Sequence, residues 1–183
     1  MMKLMTISAL SASLLIAAPT TGTAKPVSAR TAESTLAKVR EHVAVFRKAK
    51  TKRDVLAHLH SRLVYDKGAQ SRIYLAVRKN KLCLYDVSKA HGSAGSSCQP
   101  ASDVLSGRSV LLLMSIGPRS ARFAAVAPDG SSRAQERASG SIKQLRIRHN
   151  MIIDEVTGPP VTVSWISPAG KRIAYPYLGP GTI

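Results

Sequence analysis

Acidic residues are scarce in this chain. Ten Asp and Glu stand against 27 Lys and Arg, a formal charge of +17. Such an excess favours solubility and attraction to polyanions and carries no information about fold. The shortage also limits chemistry that needs two carboxylates held across a cleft. The candidates are Asp66, Asp86, Asp103, Asp129, Glu136, Asp154 and Glu155. No pair among them commends itself: Asp129 sits in a turn signal, and Asp154 and Glu155, adjacent on a strand, face opposite ways.

Aromatic residues make up only 4% of the chain, and the single tryptophan, Trp165, falls on the inward side of an alternating run. Readers of nucleic acid interleave aromatic rings with cations to stack bases, so sequence-specific nucleic-acid binding is not expected. There are two cysteines, with no Cys-x-x-Cys spacing, and no neighbourhood supplies four zinc ligands. His58-Leu59-His60, which His42 could approach from the preceding helix, with Asp54 and Glu41 as the nearby carboxylates, reads as surface histidines, so no metal is expected. Gly-x-Ser-x-Gly and Ser-x-x-Lys are absent, and His91-Gly92-Ser93 are only sequence neighbours, whereas triads draw on distant segments. No glycine-rich phosphate loop occurs, and no cofactor is implied.

What the chain does have is an address. Lys3 precedes an uncharged, apolar and small-residue run from Leu4 to Ala18, and Gly22-Thr23-Ala24 follows. A basic start, a short apolar middle and small residues at the cut make a secretory leader. The run of about 15 residues falls short of the roughly 18–20 that span a bilayer, and cleavage is expected after Ala24. No twin-arginine pair precedes the run and no cysteine lies at the cut, so the general export route without lipid attachment is expected. No second segment is long and apolar enough to cross a membrane. An even cysteine count in an exported chain reads as one disulfide, Cys83–Cys98. Closing a loop of about 15 residues contributes about 3 kcal/mol in the chain-entropy picture.

The expected organisation is a leader over 1–24, a tether over 25–30, a helical segment over 31–60 and an antiparallel β domain over 61–183. Leu36, Val39, Val43 and Phe46 share one helical face, so a helix is expected over Thr31 to Lys50, with Thr31 as its N-cap. A second short helical turn is expected over Asp54 to His60. Beyond Ser61 the period becomes two. Arg72 to Arg78 and Leu82 to Val87 form a hairpin candidate around Lys79-Asn80-Lys81, with Asn80 accepting positive φ. Ala90 to Ser97 reads as a small-residue loop and Pro100 to Ser106 as a short helix with Pro in its first turn. Val110 to Ile116 reads as a buried strand. Further strands are expected at 122–126, 132–138, 142–148, 151–156, 161–166 and 171–177, with turns at Pro128-Asp129-Gly130, His149-Asn150 and Pro168-Ala169-Gly170. Turn signals every eight to twelve residues predict a mainly β fold, an antiparallel sandwich or barrel, behind an N-terminal helix.

Several segments are similar to a known group. They are Val45-Phe46-Arg47-Lys48, Ile73-Tyr74-Leu75, Leu82-Cys83-Leu84 and Gly95-Ser96-Ser97-Cys98. Val126-Ala127-Pro128-Asp129-Gly130, Arg146-Ile147-Arg148-His149-Asn150 and the run Val163 to Gly170 follow. In this order the chain resembles uncharacterised secreted proteins of high-GC Gram-positive bacteria, from about Val43 to Gly170. Ser131 stands where valine is more usual. The resemblance implies the same strands and cystine, and no activity or catalytic residues.

The functional expectation follows from charge without catalytic constellations: a non-enzymatic secreted or wall-associated module. Its partner would be an extracellular polyanion such as a cell-wall polymer, or a protein. Candidate anion-binding residues are Arg47, Lys48, Lys50, Lys52 and Arg53 beyond the helix, Arg146 and Arg148 on one strand face, and Lys171 and Arg172, with Arg78 and Lys79 as additions if the sheet brings them together. Two other classes stand beside it. One is a secreted hydrolase, which needs a serine or carboxylate within reach of His58, His91 or His149. The other is an inhibitor or signalling ligand that presents the 90–97 loop.

Overall fold

The structure, a computed structural model, describes residues 27–56, 59–89, 93–107, 111, 116–117, 120–138, 140–156 and 161–177. The expected leader, its cut, His58 and His91 lie outside these residues.

Helix α1 spans Val27–His42, so it takes in the end of the expected tether, and Thr31 lies inside it rather than capping it. Leu36, Val39, Val43 and Phe46 are all buried, as their spacing predicts. The helix stops eight residues short of Lys50. Val43 is extended and a 3-10 turn follows at Ala44–Phe46. The cause lies in the β domain: Asp129 Oδ1 accepts the Ala44 N–H at 3.1 Å and Asn150 Oδ1 accepts the Val45 N–H at 3.0 Å. These amides would otherwise continue the helix ladder. The second helical turn expected over Asp54 to His60 does not form among its described residues: Val55 and Leu56 are not helical and His60 begins a strand. A 3-10 turn lies just before, at Lys52–Asp54, closed by a reciprocal capping box between Thr51 and Asp54.

The described strands form three four-stranded antiparallel sheets. The first is a meander of β1 (His60–Asp66), β2 (Arg72–Arg78), β3 (Lys81–Ser88) and β4 (Ser93–Pro100). The β2–β3 hairpin is as expected, except that its left-handed residue is Lys79, at φ 53°, rather than Asn80. The expected 90–97 loop is a strand from Ser93 onward. Its small polar residues have little strand preference, but Cys83 and Cys98 face each other directly in register and are joined covalently, which holds β4 on β3. Short helix α2 (Ala101–Leu105) follows, with Pro100 at its N-cap rather than inside its first turn.

The second sheet contains β5 (Ile116–Gly117), β6 (Ser120–Val126), β9 (Ile147–Arg148) and β10 (Met151–Val156), in the order β5-β6-β10-β9. The third contains β7 (Ser132–Ala138), β8 (Ser141–Gln144), β11 (Val161–Ile166) and β12 (Arg172–Tyr177), in the order β12-β11-β7-β8. The expected strand over 142–148 is therefore two strands in different sheets. The chain leaves the third sheet after Gln144 and pairs Leu145 N–H to Ala134 O at 2.8 Å before entering the second as β9. Of the expected strand over 110–116, only the buried Leu111 and Ile116, the first residue of β5, are described.

Alternation in the second sheet builds two cores. Ala124, Val126 and Met151 pack with α1, α2 and the inner side of the first sheet. Phe123, Ala125, Ala127 and Ile152 pack with Ala134, Val163, Trp165 and Ile173 of the third sheet. The second sheet is thus the shared layer of a sandwich-like β fold. Among the described residues no helix is long and apolar enough to cross a membrane.

Candidate anion-binding groove

The groove forms where the edge of the first sheet meets the edge of the second. On the second sheet, His149 and Asn150 are both left-handed, at φ 50° and 61°. They turn the chain back in two residues, so Arg148 lies directly opposite Met151 and Ile147 opposite Ile152. Ile152 belongs to the second core and Ile147 packs on it, which sends Arg148, Met151 and Ile153 to the other face, and Arg146, just before β9, reaches the same hollow. On the first sheet, the pairing of β1 with β2 shifts register between Leu63 and Tyr65. A bulge of this kind re-aims side chains. Here it lets three consecutive residues, Val64, Tyr65 and Asp66, line the same hollow. Arg146, Arg148, His149, Met151 and Ile153 complete a half-open groove of about 470 Å3.

Its floor is apolar, with Val64 and Met151 buried and Ile153 packed on the first core. Its rim is cationic. Arg146 and Arg148 are exposed, and their guanidiniums form no ion pair or hydrogen bond among the described residues. The one acid in the groove, Asp66, is already engaged: it accepts the Gly68 N–H at 2.8 Å and lies 3.3 Å from Arg72 Nε. The Gly68 amide, with help from Arg72 and the nearby positive charge of Arg53, holds the Asp66 carboxyl below its usual range against slight desolvation.

A buried ion network braces the wall. Arg122 lies with its guanidinium 5.2 Å from the centre of the Tyr65 ring. It donates to Ser71 Oγ at 2.5 Å and to Glu155 Oε1 at 2.6 Å, and lies 3.3 Å from Asp86 Oδ2. Lys67 Nζ contacts the outer side of Glu155 at 3.2 Å. The hydrogen bond from Arg122, against some burial, holds the Glu155 carboxyl below its ordinary range, and Lys67 adds to this.

The other expected anion sites are placed differently. Arg47 caps the end of α1, donating to Arg40 O at 2.9 Å, and pairs with Asp129 at 2.7 Å. Its charge is therefore paired within the chain, although the side chain is half exposed. Lys48, Lys50, Lys52 and Arg53 are exposed, and Arg53 is near enough to influence Asp66. Lys171 and Arg172 are exposed on the third sheet, where Arg172 donates to Ser164 Oγ at 3.2 Å. Neither they nor Arg78 and Lys79 of the β2–β3 hairpin line the groove.

A second polar cluster, not anticipated from the sequence, lies between the second and third sheets. Lys143 Nζ is 2.6 Å from Asp154 Oδ1 and 3.6 Å from Glu136 Oε2. Glu136 Oε2 and Asp154 Oδ2 are buried and otherwise lack hydrogen-bond partners. The contact with Asp154, with burial and the Asp154 charge, pushes the Glu136 carboxyl up to about 7 against the pull of Lys143. The sequence correctly gives Asp154 and Glu155 opposite directions: Asp154 meets the third sheet and Glu155 meets Arg122. Neither Glu136 nor Asp154 lines the groove.

Among the described residues, no three His, Cys, Asp or Glu gather as a metal site. His149 reaches the groove but forms no hydrogen bond there among the described residues. No protein-family model, curated protein or solved structure matches this chain.

Proposed function

We propose that the chain is an exported, non-enzymatic basic module that binds an anionic polymer of the cell envelope through the groove between β1 and β9. The observation that carries this reading is the pairing of two unneutralised guanidiniums, Arg146 and Arg148, at the rim of a concave site. Arginine's planar fork suits phosphate and carboxylate oxygens. The exposed Lys48, Lys50, Lys52 and Arg53, with a net charge of +17, extend the attractive field around it. Export is supported by the leader pattern and by the Cys83–Cys98 disulfide. Of the 90–97 segment that the inhibitor reading would present, the described residues from Ser93 belong to a strand paired with β3 and joined to it by that disulfide.

The test is retention on immobilised poly(glycerol phosphate), a phosphate polymer without bases to stack. The protein expressed from its full sequence should elute well above the salt that releases a neutral control. Arg146→Ala with Arg148→Ala should elute earlier, whereas Lys171→Ala with Arg172→Ala should elute close to the parent. Elution with the neutral control, or an Arg146/Arg148 variant identical to the parent, overturns the reading.

A further inference from the structure

The floor of the groove narrows what the anion can be. A polymer of polar phosphodiester units would satisfy Arg146 and Arg148 but make no use of the apolar floor, where Ile153 is only partly buried beside Val64 and Met151. These side chains are continuous with the first core: Met151 belongs to it and Ile153 packs against it. The Tyr65 ring, fixed by Arg122, adds a flat wall. A hollow of about 470 Å3, apolar below and doubly cationic at the rim, has the mixed character of a small-molecule site. A cationic ligand is disfavoured, because Asp66 is engaged by Gly68 and Arg72 while both rim guanidiniums lack partners among the described residues.

We propose that the groove binds an alkyl phosphate, the chemistry of a lipid-linked phosphate, with the phosphate on Arg146 and Arg148 and the chain on Val64, Met151 and Ile153. This rests on the anion-binding reading above and names its ligand class. Two neighbouring guanidiniums match a phosphate monoester, which carries up to two negative charges and presents three terminal oxygens. Each methylene that leaves water on the apolar floor tightens binding further.

The test is calorimetric titration of the full-length protein with monodecyl phosphate below its micellar concentration, beside inorganic phosphate, decanol and poly(glycerol phosphate). Decyl phosphate should bind at least tenfold more tightly than inorganic phosphate, and decanol more weakly than decyl phosphate. Arg146→Ala with Arg148→Ala, both exposed positions, should reduce decyl phosphate binding at least tenfold. Ile153→Ser should reduce the ratio of decyl phosphate to inorganic phosphate affinity at least threefold; circular dichroism verifies its fold. Equal affinity for decyl and inorganic phosphate, or decyl phosphate binding that survives loss of both arginines, overturns the inference. If poly(glycerol phosphate) still binds through the arginines while the alkyl preference is missing, only this inference fails. If neither ligand binds, the anion-binding reading fails with it.

Discussion

Glu136 shows how a single residue sets a pH response. Its carboxyl is raised from 4.5 to about 7, first through the contact with Asp154 and then through burial. Between those values the folded chain holds a proton that the unfolded chain releases. The stability contributed by that proton is full below about 4.5 and is lost as pH rises toward about 7. Glu136→Gln keeps a hydrogen-bond donor beside Asp154 and removes the ionisation. The variant should flatten this part of the stability curve and exceed the parent at pH 8.5 by about 1–3 kcal/mol. Urea unfolding of both proteins at pH 5 and pH 8.5 checks this; a parent that grows more stable across that interval contradicts it. Arg146 and Arg148 act at the same scale, since their effect comes from charge left without an internal partner.

At the scale of elements, Arg122 is the clamp between the first and second sheets. Its guanidinium joins Ser71 and Asp86 on one sheet to Glu155 on the other and stacks on Tyr65. Arg122→Ala leaves Asp86, a carboxylate at 8% side-chain exposure, buried without its cation. A buried pair broken in this way costs about 3–5 kcal/mol. Urea unfolding at pH 7 should show that loss, and it should also weaken phosphate binding by freeing Tyr65. A loss below about 1 kcal/mol would mean that the sheets are held by apolar packing alone.

Much at this scale was legible from local pattern. The β2–β3 hairpin, the turn at Pro128-Asp129-Gly130 and the strands β10 and β11 follow from alternation and turn chemistry, and Trp165 is buried as its position predicts. What escaped the sequence depends on distant partners. The end of α1 is set by Asp129 and Asn150, more than 80 residues away. The passage of Leu145 from one sheet to another interrupts an unbroken alternation, and β4 owes its place to a cystine. The groove was half legible. Arg146 and Arg148 meet at the groove as their spacing suggests, though Arg146 lies just outside β9, and their companions Tyr65 and Asp66 come from a bulge that no local signal announces. Glu136 and Asp154 meet only because two sheets stack.

At the scale of the whole molecule, the leader pattern stands beside a net charge of +17. Export predicts a mature chain that begins at Lys25 and carries no free thiol. Intact mass and terminal sequencing of protein recovered from culture medium, with alkylation before reduction, should show the shortened chain and no alkylated cysteine. Full-length chain confined to the cell, with both thiols alkylated in the native state, contradicts it.

The anion-binding claim makes the affinity of the molecule a function of salt. Each phosphate neutralised adds about −0.7 to −0.9 to the slope of log affinity against log salt, on the scale known for nucleic acids. The most direct measurement is that slope for poly(glycerol phosphate), taken on the parent and on Arg146→Ala with Arg148→Ala. A clearly negative slope that becomes shallower by about 1.5 in the variant is the predicted result. A slope near zero in the parent, or the same slope in both proteins, contradicts the claim that these two arginines hold the anion.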